Sequence, residues 1–206
     1  YEQRESLEKD ITEATCGKTK IELEDEYDYI QATEDGSIWL SAHVRPLISL
    51  KDGVQTASYD GTKYVTMDPS GKWGISWFTG SECEKITISD GALSSEALPL
   101  EGIDSVSEIF IDDKYIYACG TSLDDSGHKA FVYDKDGKLK YTLADEDGSG
   151  LGSITFITST SNGFIGFDGN MRTVVLWNKD GAYIGEADDA DLFGTSYPWF
   201  CASAKM

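Results

Sequence analysis

Residues 107–187 hold one pattern twice, and this repetition limits the fold more than any single residue does. The first copy reads SEIFIDDKYIYACG followed by HKAFVYDKDGKLKYTL. The second reads SITFITSTSNGFIGFDG followed by RTVVLWNKDGAYIGEA. Their aligned cores, FVYDKDGKL and VVLWNKDGAY, lie 44 residues apart, Phe131 matching Val175 and Gly137 matching Gly181. Each copy contains four short apolar runs separated by turn residues, so each reads as a four-stranded antiparallel sheet. Such a unit has two faces to cover and cannot bury both alone, so copies must stack on one another.

A period of this length with four strands per unit predicts an all-β chain built from β-propeller blades. Two more degenerate copies precede the pair. Units are expected at about 27–59, 63–98, 106–143 and 153–187, with a fifth opening near residue 196 at YPWFCAS. The turns between third and fourth strands carry equivalent glycines at Gly53, Gly91, Gly137 and Gly181. Asp-Gly between two apolar runs is a strong hairpin signal, because glycine accepts the positive φ of a tight turn. In the second unit Trp73, Ile75 and Trp77 alternate along one strand, which puts three bulky side chains on one face as core. Residues 1–18 are expected to form a helical or extended tether, with Leu7, Ile11 and Ala14 at helical spacing, and residues 19–206 to form the blades. Residues 19–24 (TKIELE) read as a lone strand. Four complete blades plus parts of a fifth leave an unfinished ring. The favoured expectation is that the chain is a portion of a larger propeller. The alternatives are a ring closed by a second copy and an irregular five-bladed form. An unfinished edge would expose unpaired backbone groups and invite self-association.

Composition narrows the partners. The net charge is −20, from 17 basic and 37 acidic side chains, which disfavours nucleic acid and anionic lipid. No apolar run approaches 18 residues, so no membrane-spanning helix is expected. The chain starts at Tyr1, which leads to the expectation that a signal segment was removed. Cys16, Cys83, Cys119 and Cys201 are widely spaced. Their even number is compatible with export, while the apolar surroundings of Cys119 and Cys201 fit buried free thiols equally well. There is no Cys-x-x-Cys pair, no Gly-x-Ser-x-Gly elbow and no His-Glu-x-x-His.

The repeat pattern and hairpin turns over about residues 19–204, including the string EDGSIWLS in the first unit, resemble secreted and lipid-anchored β-propeller proteins of bacteria. That resemblance implies an extracellular or cell-surface location. It also implies that ligands meet one edge, made of the loops joining second to third strands and the loops joining successive blades. On this rule the informative loops are 42–46 (AHVRP), 79–84 (TGSECE), 120–129 (GTSLDDSGHK) and 168–172 (DGNMR), with interblade loops centred on 58–62, 99–105, 145–152 and 188–194. The candidate ligand-binding residues are His43, Arg45, Asp125, His128, Asn170 and Arg172. A converging set of His, carboxylate and Arg is what acid–base chemistry or recognition of an anion requires.

No cofactor is expected, and calcium is the one metal for which the acidic loops offer oxygens. The strings Asp134-Lys-Asp136-Gly137 and Asn178-Lys-Asp180-Gly181 lack the first acidic ligand of a calcium loop and read as hairpins. Asp145, Asp147, Asp188, Asp189 and Asp191 are the metal candidates. The leading expectation for function is a non-catalytic extracytoplasmic binding or scaffold module whose loops take a protein, peptide or glycan. One alternative is a hydrolase or lyase acting on a saccharide or peptide, with His43, Arg45, His128 and Arg172 as its polar set. The other is a calcium-stabilised scaffold.

Overall fold

A computed structural model describes residues 27–188, apart from positions 44, 60–62, 79, 81, 90–91, 125–126 and 149. The tether, the lone strand at 19–24, the fifth unit and its free edge lie outside the described residues. Every described element is a strand. The chain divides into two compact units, one ending at Ala97 and the other containing residues 98 onward together with 79–82. Each unit holds two antiparallel four-stranded sheets in which every strand pairs with its neighbour in sequence. These are four blades of the β-propeller type.

In the first unit one blade comprises β1 (Tyr29–Ala32), β2 (Ile38–Ala42), β3 (Arg45–Lys51) and β4 (Val54–Tyr59). The next comprises β5 (Tyr64–Met67), β6 (Trp73–Trp77), β7 (Glu84–Ser89) and β8 (Ala92–Ala97). In the second unit one blade comprises β9 (Ile103–Ile111), β10 (Ile116–Ser122), β11 (His128–Tyr133) and β12 (Leu139–Leu143). The last comprises β13 (Ile154–Thr160), β14 (Gly163–Asp168), β15 (Thr173–Asn178) and β16 (Tyr183–Asp188). β9 starts at Ile103, ahead of residue 106, because two bulges let it keep pairing along β10 as far as Ser122 and Ile103 is buried there.

Burial follows strand position. The outer strands β1 and β16 alternate between half-buried and exposed residues, the period-2 signature of a strand with one covered face. The inner strands β2, β6 and β10 are buried almost throughout. Ile75 and Trp77 are fully buried, as the alternation in the second sequence repeat predicts. Trp73 is half-buried, with the Lys85 ammonium 4.9 Å from its ring centroid. In the second unit Tyr117, Cys119, Val132, Ile157, Phe164, Val175 and Trp177 form one core shared by both blades. In the first unit Trp39, Leu47, Val65, Met67 and Ile86 do the same.

The hairpins follow their turn chemistry. Asp52 (φ 50°) and Gly53 (φ 76°) are both left-handed, the conformation of a type I′ turn, which suits the right-handed twist of the flanking strands. Asp134 and Asn178 use a different device. Each side-chain oxygen accepts the backbone N–H groups two and four residues on, closing the loop around Gly137 and Gly181. The hairpin reading of these two strings holds.

Adjacent blades within a unit are joined through side chains that satisfy the first strand of the next blade. β5 is a sheet edge, so its outward N–H groups need partners. The Gln31 amide acts as a surrogate peptide, accepting from Met67 N–H at 2.8 Å and donating to Met67 C=O at 2.5 Å. Ser41 Oγ accepts from Val65 N–H at 2.9 Å. In the second unit Asp112 has this role. Its Oδ2 accepts from the Ser159 N–H (2.9 Å) and hydroxyl (2.7 Å) on β13 and from the Tyr117 phenol (2.6 Å). Its Oδ1 accepts from the backbone of Lys114 and Tyr115. Burial alone would raise the pKa of Asp112. The Tyr117 and Ser159 hydrogen bonds overcome it and hold the carboxyl below its ordinary value.

Two stability predictions follow from these junctions. Gln31→Ala strands a donor and an acceptor of Met67 and should cost about 1–3 kcal/mol in chemical denaturation. Asp112→Asn should cost about 2–3 kcal/mol at neutral pH, because hydrogen bonds to an ionised acceptor are replaced by weaker ones. Because folding lowers the Asp112 pKa, its contribution is present above the ordinary carboxylate value and lost as pH falls through the folded value. The gap in melting temperature between wild type and Asp112→Asn should therefore narrow below about pH 4. A gap constant from pH 7 to pH 2 would show that the charge carries none of it.

Candidate functional site

The meander gives every blade two different edges. One carries the tight turns between first and second and between third and fourth strands. The other carries the second-to-third-strand loops and the connections between blades. In the second unit the loops of this latter edge are fastened to one another. Leu151 on the interblade segment pairs with His128, its N–H reaching His128 C=O at 2.6 Å. Gly152 N–H donates to Asp168 Oδ2 at 2.5 Å, and Gly169 N–H donates to Ser153 C=O at 2.7 Å. Leu123 N–H donates to Gly102 C=O at 3.1 Å, and Gly80 pairs with Val106. The two classes of loop therefore share an edge in this unit.

Asp168 organises the β14–β15 turn. It is buried, and its Oδ1 accepts from Asn170 N–H (2.9 Å) and Met171 N–H (3.0 Å). Arg172 N–H closes the turn onto Asp168 C=O at 2.7 Å, with Arg172 in the left-handed region at φ 61°. With both carboxylate oxygens engaged by backbone, Asp168 is a structural acid. The turn it fixes holds Met171 outward, 65% exposed. On the neighbouring blade the β10–β11 loop holds Leu123 outward, also 65% exposed, beside the Asp124–Lys129 ion pair at 3.7 Å.

The sequence-predicted residues divide between the units. His43 lies in the β2–β3 turn of the first unit, stacked on Phe78 with ring centroids 4.1 Å apart and planes 9° from parallel, and 5.9 Å from Tyr64. Arg45 is exposed and is the first residue of β3, opposite Ala42. His128, expected in a loop, is the first residue of β11, opposite Thr121, because β10 and β11 extend further than their apolar runs suggest. Asn170 and Arg172 sit in the turn fixed by Asp168, on the same edge as His128. Asp125 lies outside the described residues.

Of the metal candidates, Asp145 accepts Gly150 N–H at 3.3 Å, Asp147 is exposed, and Asp188 ends β16 opposite Thr173. Asp189 and Asp191 lie outside the described residues. Among the described residues no three His, Cys, Asp or Glu side chains converge. Cys83 and Cys119 are free and buried. Burial pushes the Cys83 thiol up to about 11 and raises Cys119 as well, so neither is a ready thiolate at neutral pH.

The opposite edge of the second unit carries a feature that sequence reasoning missed. A cleft of about 350 Å³ opens between its two blades, near the β9–β10, β13–β14 and β15–β16 turns. Tyr115, Tyr141 and Phe164 supply its aromatic surface. Their centroids are 5.3–6.3 Å apart, with the Tyr115 and Tyr141 rings edge-on at 83°. Lys114, Lys179 and the hydroxyl residues 159–161 complete it. Burial, and then the neighbouring Tyr141, raise the Tyr115 phenol above its ordinary value. Lys114-Tyr115 and Lys179, in or beside the turns, were the available signal.

No family model matches the chain, and no curated protein does. Among solved structures it is similar to the WD40 β-propeller domain of Doa1, with a TM-score of 0.53 at 17% identity. The match covers 79% of this chain and 55% of that one, so the chain spans little more than half of the propeller it resembles. At that identity the likeness concerns the fold: antiparallel four-stranded blades of the WD40 propeller kind.

Proposed function

We propose that this chain is a non-catalytic binding module that docks a protein or peptide on the loop edge of its second unit. The observation that carries this reading is the pair Leu123 and Met171, large apolar side chains held outward by adjacent blades. Exposed apolar residues on a fastened scaffold favour contact with a partner, because the loops lose little conformational freedom on binding. Methionine suits such a surface, since its flexible thioether adapts to the opposing shape. Asp124 follows Leu123, and Asn170 and Arg172 flank Met171, so each apolar residue has polar neighbours of the kind found at the rim of a docking surface. The WD40-type likeness supports the same reading at the level of fold, since propellers present loops on a rigid base.

An extracytoplasmic location belongs to this reading, and its support is the resemblance to secreted and lipid-anchored propellers. Cell fractionation with an antibody to the chain would test it.

The function is tested by affinity capture with the wild-type chain and with the variant Leu123→Glu/Met171→Glu. Both side chains are exposed, so the double variant should keep the wild-type melting temperature. The wild type should retain a partner that the variant loses, with affinity reduced at least about tenfold once that partner is titrated directly. Equal retention by both proteins would show that the loop edge is not the docking surface.

A further inference from the structure

We propose that the turn-edge cleft of the second unit binds an anionic hexose, a sugar ring bearing a carboxylate or a phosphate. Cleft and loop edge are opposite margins of the same blades, so this is a second site, independent of the protein-docking reading.

Lining chemistry selects the ligand class. Apart from Gly163 and Phe164, every residue around the cleft ends in a hydroxyl, a phenol or an ammonium group. A slot for a purely apolar side chain would leave these groups without water or partner, at a cost for each. A polyhydroxylated ring can both donate to and accept from hydroxyls such as Ser161, while its C–H face packs against the rings of Tyr115 and Tyr141. The volume of about 350 Å³ lies at the small end of the range for ligand sites, which suits a single sugar better than a folded segment.

Charge selects the anion. Lys114 and Lys179 both line the cleft, and no carboxylate does. Neither lysine is in an ion pair among the described residues. Asp112, which is bonded to the cleft residues Tyr115 and Ser159, has both oxygens committed to Tyr117, Thr158, Ser159 and the backbone of residues 114 and 115, so it has little capacity left to neutralise them. Two ammonium groups in a cleft lining without a carboxylate stand out in a chain of net charge −20. They would make charge-assisted hydrogen bonds to a ligand's carboxylate or phosphate oxygens.

The test is calorimetric titration of the full chain at low salt with D-glucuronate, D-glucose 6-phosphate, D-glucose, inorganic phosphate and a tetra-glutamate peptide. At least one anionic hexose should bind about tenfold more tightly than glucose, and whichever binds better identifies the acidic group. The variant Lys114→Gln/Lys179→Gln should keep its melting temperature and lose that tenfold advantage. As a check independent of the lysines, the anionic hexose should shift the Tyr115 and Tyr141 ring resonances. The idea is overturned if neither anionic hexose outbinds glucose, or if the lysine variant binds it unchanged. Inorganic phosphate binding as tightly would mark a bare anion site, and tighter binding of tetra-glutamate would mark an acidic-peptide site. Either result would also overturn the sugar assignment.

Discussion

The open edge of each blade's first strand is the constraint on which each unit depends. A four-stranded meander satisfies its inner strands and leaves the outer N–H and C=O groups of the first strand to find partners elsewhere. Continuing the sheet into the next blade would turn a stack of blades into one large sheet. Instead, each unit satisfies a few edge groups with side chains. Gln31 and Ser41 serve β5, and Asp112 serves β13. Side-chain bonding lets neighbouring sheets stack face to face, which buries Val65 and Met67 in one unit and Ile154 and Ile157 in the other. Polar junction and apolar core are therefore mutually dependent. Removing the junction leaves unsatisfied backbone groups inside a packed interface.

Asp112 shows why such junctions involve ionisable groups despite the cost of burial. A single carboxylate accepts from a phenol, two hydroxyls and three backbone N–H groups at once, spanning both blades. No neutral side chain of that size has the acceptor capacity. The same economy recurs at Asp168, whose two oxygens fasten a turn and an interblade segment together. Buried acids in this fold serve geometry, which removes Asp112 and Asp168 from the pool of residues free for chemistry.

What could be read in the sequence was local. Alternating apolar residues and Asp-Gly turns depend on neighbours within a few positions, and the four strands of every described blade were legible from them. Gln31, Asp112 and Asp168 were not, because their partners lie 36, 47 and 16 residues away and nothing in a string of residues marks a glutamine as a surrogate peptide. The loop edge was legible in outline. Polar residues drew attention there, although several belong to strands or turn scaffolding, and Leu123 and Met171 are large apolar side chains exposed among them. An apolar residue inside a polar turn was the signal to weigh. The cleft escaped because Tyr115, Tyr141 and Phe164 come from three strands or their margins and each reads alone as an ordinary strand aromatic.

On both edges of the second unit, carboxylates are spent on holding turns. Tight turns place lysines beside short acidic caps that are already spent on backbone: Asp134 holds its own turn and pairs with Lys140 at 2.9 Å, and Asp112 is saturated. Lys114 and Lys179 then line a cleft whose wall contains no carboxylate. The loops on the other edge are capped too, by Asp145 and Asp168, and carry Glu101, Glu146 and Asp147 beside Lys129 and Arg172. The turn edge as a whole carries Asp112, Asp113, Asp134, Asp136 and Asp180 beside Lys114, Lys135, Lys138 and Lys179, so its cationic character is confined to the cleft, whose lining holds two lysines and no carboxylate. Recognition of an anion at one edge and of a partner at the other can coexist on two blades, because the two edges are opposite ends of the same strands and each is fixed by its own capped turns.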